Sequence, residues 1–282
     1  MQIFENVKLA EYTTFKIGGP AEKFIVPDFE QELIDVYKDC LSKNMPVYFL
    51  GGGSNVLISE DGINGCVIYM AKCCDQLIYD GGFVRVGASV RLQRFIRFLV
   101  NNNLFGYEYL FSVPGTVGGA IYMNAGRGKQ YNMSISDYLV EVKVFDGRKI
   151  QMLKKEECKF EYRRTIFQDK KNYLILEAKF SVPEQKKEIG EKAVQERLVL
   201  VKQEQDLDCP NAGSVFKKIS PFAVRIVKGL KIGDAGFSRK TGNWICNYGN
   251  AKVKDIKMLI AVARFFSLCF LNNPKVEIEY WR

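Results

Sequence analysis

Apolar and polar positions change their period several times along this chain. Ala21–Pro27 alternates between the two, which predicts a short strand. Phe29–Asn44 instead places Leu33, Ile34, Val36, Tyr37, Cys40 and Leu41 on one helical face. Pro46–Leu50, ending in glycines, and Gly65–Met70 are brief apolar runs that read as strands. Residues 1–70 therefore resolve into a βαβ-like unit. From Gly81 the texture changes. Phe83–Ala88 reads as a strand, Leu92–Asn101 as a helix, and Leu139–Phe145, Lys149–Leu153 and Tyr173–Val182 as strands. Asp146-Gly147 between two of them is a hairpin signal.

Pro183–Asp208 is rich in Lys, Glu and Gln, with apolar residues only at helical intervals, and predicts a solvated helix closed by Cys209-Pro210. Asp255–Leu271 is the clearest helix, capped by Asp255 or a residue near it. A last strand, Lys275–Trp281, follows Asn273-Pro274.

Composition narrows the chemistry. The 282 residues, 47% apolar and 26% charged, allow two domains or three small ones with sizeable cores. There is no histidine, which excludes every Ser-His-Asp or Cys-His triad and every imidazole metal site. The eight cysteines show no CxxC spacing and read as small buried hydrophobes in a reducing compartment, without a disulfide framework. The amino terminus lacks a signal pattern, and Ile256–Leu271 is broken by Lys257 and Arg264 and too short to span a bilayer. A cytoplasmic protein without membrane insertion is expected. The net charge of +9 is dispersed, no Lys/Arg run exceeds two, and this suits small anionic ligands better than nucleic acid.

Two glycine-rich stretches stand out. Leu50-Gly51-Gly52-Gly53-Ser54-Asn55-Val56-Leu57 follows a strand directly, and is either a flexible turn or a nest of N–H groups for phosphate oxygens. It matches neither a Walker loop nor a GxGxxG turn. Ser112–Gly126, SVPGTVGGAIYMNAG, carries almost no side chain able to build a core, and predicts a loop laid against something flat or anionic.

Together with Thr13–Gly19 (TTFKIGG), and at these distances, the two stretches resemble the UDP-N-acetylenolpyruvoylglucosamine reductase family. The resemblance continues through Phe160–Phe167 (FEYRRTIF), Asn211–Lys217 (NAGSVFK), Gly229–Lys231 and Asn247–Ala251, so it covers nearly the whole chain. The short stretch between Val182 and Cys209 resembles the class lacking an extra tyrosine loop. The resemblance implies an α+β protein: a two-subdomain FAD-binding fold of the vanillyl-alcohol-oxidase type (1–70 and 71–195), a substrate domain (196–272) and a terminal strand (273–282). It implies non-covalent FAD, NADPH as reductant and no metal. The substrate is UDP-N-acetylglucosamine enolpyruvate, reduced to UDP-N-acetylmuramate for peptidoglycan, with no obligate protein partner. In such a reaction hydride passes from NADPH to FAD and then to the vinyl carbon, and the protein must steady the resulting enolate and supply one proton. No histidine is needed.

Residue by residue, the resemblance makes Ser214 the proton donor and Arg163 the grip on the substrate carboxylate, with Arg164 beside it a decoy. Tyr162 and Lys217 become substrate contacts. Gly51, Gly52, Gly53, Ser54, Asn55 and Val56 become flavin contacts, as do Ser112, Pro114, Gly115, Thr116, Gly118, Gly119 and Asn124. A terminal glutamate is expected, and Glu277 fits it best, with Glu279 and Lys275 on the same strand face. The chain departs from the family at Lys218, Ile219, Thr241 and Ser89. Two other readings keep the fold: an FAD-linked sugar or alcohol oxidase, and a non-catalytic flavin or nucleotide-sugar sensor.

Overall fold

The strand that opens the second stretch of sequence, Phe83–Gly87, becomes an interior strand of an antiparallel sheet. Its strands lie in the order Ile150–Lys154, Leu139–Phe145, Leu174–Phe180, Phe83–Gly87, Leu77–Asp80. The computed structural model describes residues 1–127 and 133–282. Within it the chain divides into two compact units: Met1–Phe4, Phe24–Gly52 and Gly65–Leu200 form the first, Glu5–Lys23, Gly53–Asn64 and Val201–Arg282 the second.

In the first unit, Val47–Leu50 pairs parallel with Cys66–Tyr69. The expected helices are α1 (Glu30–Ser42) and α2 (Leu92–Asn101). Each buries the face its periodicity marked: Leu33, Ile34, Val36, Tyr37 and Cys40 in α1, Leu92, Phe95, Ile96, Leu99 and Val100 in α2. Phe95 meets Tyr107 at 5.6 Å and Phe180 at 5.2 Å between ring centroids. All three rings are fully buried, so Phe95→Ala costs about 3–5 kcal/mol. The Asp146-Gly147 hairpin forms as expected. Asp146 Oδ1 accepts from Arg148 N and Lys149 N, both at 2.8 Å, and Gly147 takes φ +91°.

The loop expected over Ser112–Gly126 is corrected. Val117–Met123 is a helix, α3, with Val117, Ala120, Ile121 and Met123 buried. Thr116 caps it by accepting from Gly119 N at 3.3 Å, and Gly118 packs where a Cβ would come within 2.8 Å of Ala88 Cβ. Capping and close packing outweigh the poor helix propensity of two glycines. A single turn, α4 (Ile166–Asp169), precedes the strand Leu174–Phe180. The long helix α5 (Lys187–Glu204) follows, and the boundary between the units falls inside it.

The second unit holds a four-stranded antiparallel sheet, ordered Asn211–Ser214, Trp244–Asn247, Ala235–Phe237, Lys231–Ile232. Helices α6 (Pro221–Val227) and α7 (Val253–Cys269) close on a core containing Phe15, Leu57, Val215, Phe216, Phe237 and Ile256. Asp255 lies inside α7 at its third position, and its carboxylate accepts from Lys252 N at 3.0 Å. The expected terminal strand is shorter than its alternation suggested. Only Glu279–Trp281 is strand, parallel to Val56–Ile58, because the segment before it turns to a different neighbour and makes one bridge, Val276 to Phe216.

The reading of eight isolated thiols is also corrected. Cys209 and Cys246 form a disulfide with Cα atoms 5.6 Å apart. The strand register sets Asn211 opposite Cys246, which brings together two cysteines 37 residues apart. Among the described residues no helix is long and apolar enough to cross a membrane.

Candidate active site

The glycine loop Leu50–Leu57 is divided at its third glycine. Gly51 and Gly52 belong to the first unit, Gly53, Ser54, Asn55 and Val56 to the second.

In the first unit the two glycine-rich stretches touch. A Cβ on Gly52 would stand 2.6 Å from Gly115 Cα, and one on Gly51 would stand 2.8 Å from Thr116 Oγ1. The second stretch is tied down on both sides. Leu92 N donates to Gly115 O at 3.1 Å, Val117 N to Val90 O at 2.8 Å and Gly118 N to Ala88 O at 2.9 Å. Gln93 Nε2 donates to the carbonyls of Phe111 (3.0 Å) and Val113 (2.9 Å). Pro114 and Gly119 stay exposed, and a Cβ on Gly119 would meet only Thr116 Oγ1, at 3.6 Å. The result is a rigid, nearly side-chain-free floor.

Asn124 ends α3 in the left-handed region, φ +43°. Its Nδ2 donates to Glu161 O at 2.8 Å, while its buried Oδ1 has no hydrogen-bond partner among the described residues. Arg163, itself at φ +56°, donates from Nη1 to Asn124 O at 3.0 Å and from Nη2 to Gly126 O. Its guanidinium also lies 5.2 Å from the Tyr162 ring centroid. Arg164 points elsewhere, to an exposed ion pair with Asp169 at 3.4 Å. The neighbouring arginines are thus separated by their partners.

A residue that sequence reasoning missed also holds this floor. Arg197 on α5 is buried, and its Nε donates to Ser112 Oγ at 2.8 Å. Its signal was present in the spacing: it follows Val194 by three residues and precedes Val201 by four, on the apolar phase of an otherwise solvated helix. Nearby in sequence, burial pushes the Glu108 carboxyl up from its usual range, although Gly106 N donates to it at 3.0 Å.

In the second unit the motifs are stitched by backbone. Thr14 N donates to Gly53 O at 3.0 Å and Thr14 Oγ1 to Asn211 O at 2.7 Å. Asn247 Nδ2 donates to Phe15 O at 3.1 Å. A Cβ on Gly53 would collide with Tyr12 O at 2.0 Å. Gly213, at φ +70°, breaks the register of its strand just before Ser214. Val215 and Phe216, both fully buried, anchor the other side of Ser214, with Asn243 bonding both. The terminal segment then runs alongside: Lys217 N donates to Lys275 O at 2.9 Å and Glu277 N to Val215 O at 2.8 Å. Further on, Asn55 Nδ2 donates to Glu277 O at 3.1 Å and Glu279 N to Asn55 O at 2.9 Å. Both glutamates thus bond Asn55 through their backbone; Glu277 is bonded in addition to Val215, next to Ser214, while Glu279 pairs with Val56.

A flavin suits what the first unit offers: a flat glycine floor, and a buried carbonyl oxygen, Asn124 Oδ1, that a bound N–H or O–H donor would satisfy. Comparison with known proteins agrees. Residues 21–149 match the FAD binding domain, and residues 203–265 match the UDP-N-acetylenolpyruvoylglucosamine reductase C-terminal domain. The chain is an α+β flavoprotein of the FAD-binding class. The reductase of that name from Clostridium novyi (strain NT) is 34% identical over 270 residues, covering 93% of this chain and 86% of the relative. That from Pseudothermotoga lettingae is 34% identical over 99% of both. The crystal structure of the Thermus caldophilus reductase superposes with a TM-score of 0.81 over the full length of both chains, at 29% identity. This chain belongs to the UDP-N-acetylenolpyruvoylglucosamine reductase family.

Proposed function

We propose that this protein reduces UDP-N-acetylglucosamine enolpyruvate to UDP-N-acetylmuramate in the cytoplasm, for peptidoglycan precursor synthesis, with NADPH as reductant. Residues 1–70 and 71–195 serve as the flavin-binding subdomains, 196–272 as the substrate domain and 273–282 as the carrier of a carboxylate. When bound, FAD supplies the hydride, taken from NADPH, that adds to the vinyl carbon. Gly51, Gly52, Gly53, Ser54, Asn55, Val56, Ser112, Pro114, Gly115, Thr116, Gly118 and Gly119 would hold it. Asn124 contributes its buried Oδ1.

Once hydride has added, negative charge spreads from the adjacent carbon into the substrate carboxylate. Arg163 holds that carboxylate, its fork aimed by the two carbonyls it already grips, with Tyr162 as its neighbour. Ser214 Oγ gives its proton to the carbanion carbon, completing the C–H bond, and the alkoxide left behind recovers a proton from solvent or from a group relayed by Glu277. A serine is a weak acid and works here only because the enolate is strongly basic and the hydroxyl is fixed. Lys217 binds the substrate's anionic portion.

The observation that supports this reading most is the bond from Glu277 N to Val215 O, which sets the carboxylate-bearing segment beside the proton-donating serine. The test is direct. Purified protein should show flavin bands released by denaturation, and should oxidise NADPH beyond one equivalent of bound flavin only when the enolpyruvyl sugar nucleotide is added. Flavin reduction by a sugar or alcohol without NADPH, with oxygen consumed on reoxidation, would favour an oxidase instead.

A further inference from the structure

The second unit carries an apolar face that its core does not use. On α7 the core takes Ile256, Leu259, Ala263 and Ser267, yet the opposite side presents Met258, Phe265 and Leu268 to solvent. Phe265 is 64% exposed. On α6, Phe222 and Ile226 are exposed in the same way, and Phe222 stacks on Phe270 at 5.1 Å, joining the two helices into one surface. The turn after α7 ends in Leu271, which is 99% exposed and held at φ +55°. A leucine in left-handed backbone at a fully solvated tip is costly on both counts.

The exposed charges carried by the two helices themselves have one sign, although the Glu60 carboxylate accepts from Val253 N at 3.3 Å at the start of α7. The exposed charged residues of α6 and α7 are Arg225, Lys254, Lys257 and Arg264. The only carboxylate on either helix, Asp255, is buried and occupied with Lys252 N. Two copies meeting through this face would set like charges against each other, which opposes self-association. The apolar residues sit on two exposed helix faces and a turn tip. Phe, Leu and Met protruding between Lys and Arg is the composition of a helix that lies in the headgroup region of a membrane.

We infer that this face docks the protein on an anionic lipid bilayer surface, with Leu271 and Phe265 entering the headgroup boundary and the four basic residues meeting lipid phosphates. It is a surface contact and not a span. It places a cell-wall precursor enzyme at the membrane without altering its chemistry.

The test uses the full-length holoprotein and sedimentation with two kinds of vesicle, pure phosphatidylcholine and phosphatidylcholine mixed with phosphatidylglycerol. Binding should favour the phosphatidylglycerol vesicles and fall as salt rises. Arg264→Glu with Lys254→Glu should lower binding at least about tenfold, since each basic residue near such a surface is worth about 1 kcal/mol. Phe265→Ser with Leu271→Ser should lower it similarly. All four residues are exposed, so thermal melting and solution activity should match wild type in both double variants. Absence of binding, or equal binding to both vesicles, overturns the inference. So does a concentration-dependent dimer that Phe265→Ser dissolves while vesicles are ignored, which would assign the face to a second copy.

Discussion

Arg163 and Asn124 fix one another: both sit in left-handed backbone, at φ +56° and +43°, and Arg163 Nη1 donates to Asn124 O at 3.0 Å. The arginine is thereby locked to the end of α3, the helix that lies within the second glycine-rich stretch. Arg164, one residue on, is committed to a surface carboxylate.

This contrast sets the first prediction. Arg163→Lys keeps the charge but loses the fork, and turnover with the enolpyruvyl substrate should drop about ten- to a hundredfold, the range of one or two charge-assisted hydrogen bonds. Arg164→Lys should stay within about twofold, because an exposed ion pair is worth at most about 1 kcal/mol. Steady-state kinetics of the two variants decide it, and the reverse ranking would shift the motif by one residue.

The glycines make a second pair. Gly52→Ala drives a Cβ to 2.6 Å from Gly115 Cα, backbone against backbone, so even the flavin-free protein should melt several degrees lower. Gly119→Ala meets nothing closer than 3.6 Å and replaces a helical glycine, so flavin-free protein should be as stable or slightly more so. If Gly119 faces the cofactor, that variant should nonetheless lose FAD on dilution. Unchanged FAD retention would remove Gly119 from the floor.

A third prediction concerns the terminal carboxylates. Both bond Asn55, but only Glu277 also bonds Val215, beside Ser214, whereas Glu279 pairs with Val56. Glu277→Gln should slow substrate reduction by more than tenfold with FAD retained, while Glu279→Gln should remain active. Single-turnover reoxidation of each variant separates them. If neither matters, Lys275 is the next residue to replace.

The Cys209–Cys246 disulfide yields a fourth. It closes a span of 37 residues at the foot of the Ser214 strand, and loss of such a crosslink costs about 2–4 kcal/mol. Cys246→Ser, or wild type under reductant, should unfold at lower guanidinium concentration. Identical midpoints with and without reductant would mean the bond does not form in solution.

Periodicity placed α1, α2, α7 and four strands of the first unit's antiparallel sheet, because burial on one face leaves a repeating trace in sequence; it left Leu77–Asp80 and the short strands of the second unit's sheet unmarked. It failed where a tertiary contact overruled local preference. Val117–Met123 reads as a loop until Thr116 caps it and Ala88 receives Gly118. Lys275–Ile278 alternates like a strand, yet its partners change between Phe216 and Val56, which no single-segment pattern encodes. The Cys209–Cys246 pairing depends on a register between distant strands. The candidate site was legible through resemblance rather than spacing: Ser214 in isolation is a serine after a glycine. What the structure adds is its setting between Gly213 at φ +70° and the buried Val215, with Glu277 drawn alongside. Arg197 stayed hidden because a single buried arginine among Lys and Glu looks like solvent.

The most direct measurement follows flavin absorbance in Ser214→Ala through each half-reaction separately by rapid mixing. Reduction by NADPH needs no proton from serine and should proceed within about twofold of wild type. Reoxidation by UDP-N-acetylglucosamine enolpyruvate should slow by about three orders of magnitude or more, the scale of losing a positioned proton donor. Reoxidation at the wild-type rate, or equal damage to both halves, would contradict Ser214 as the proton donor.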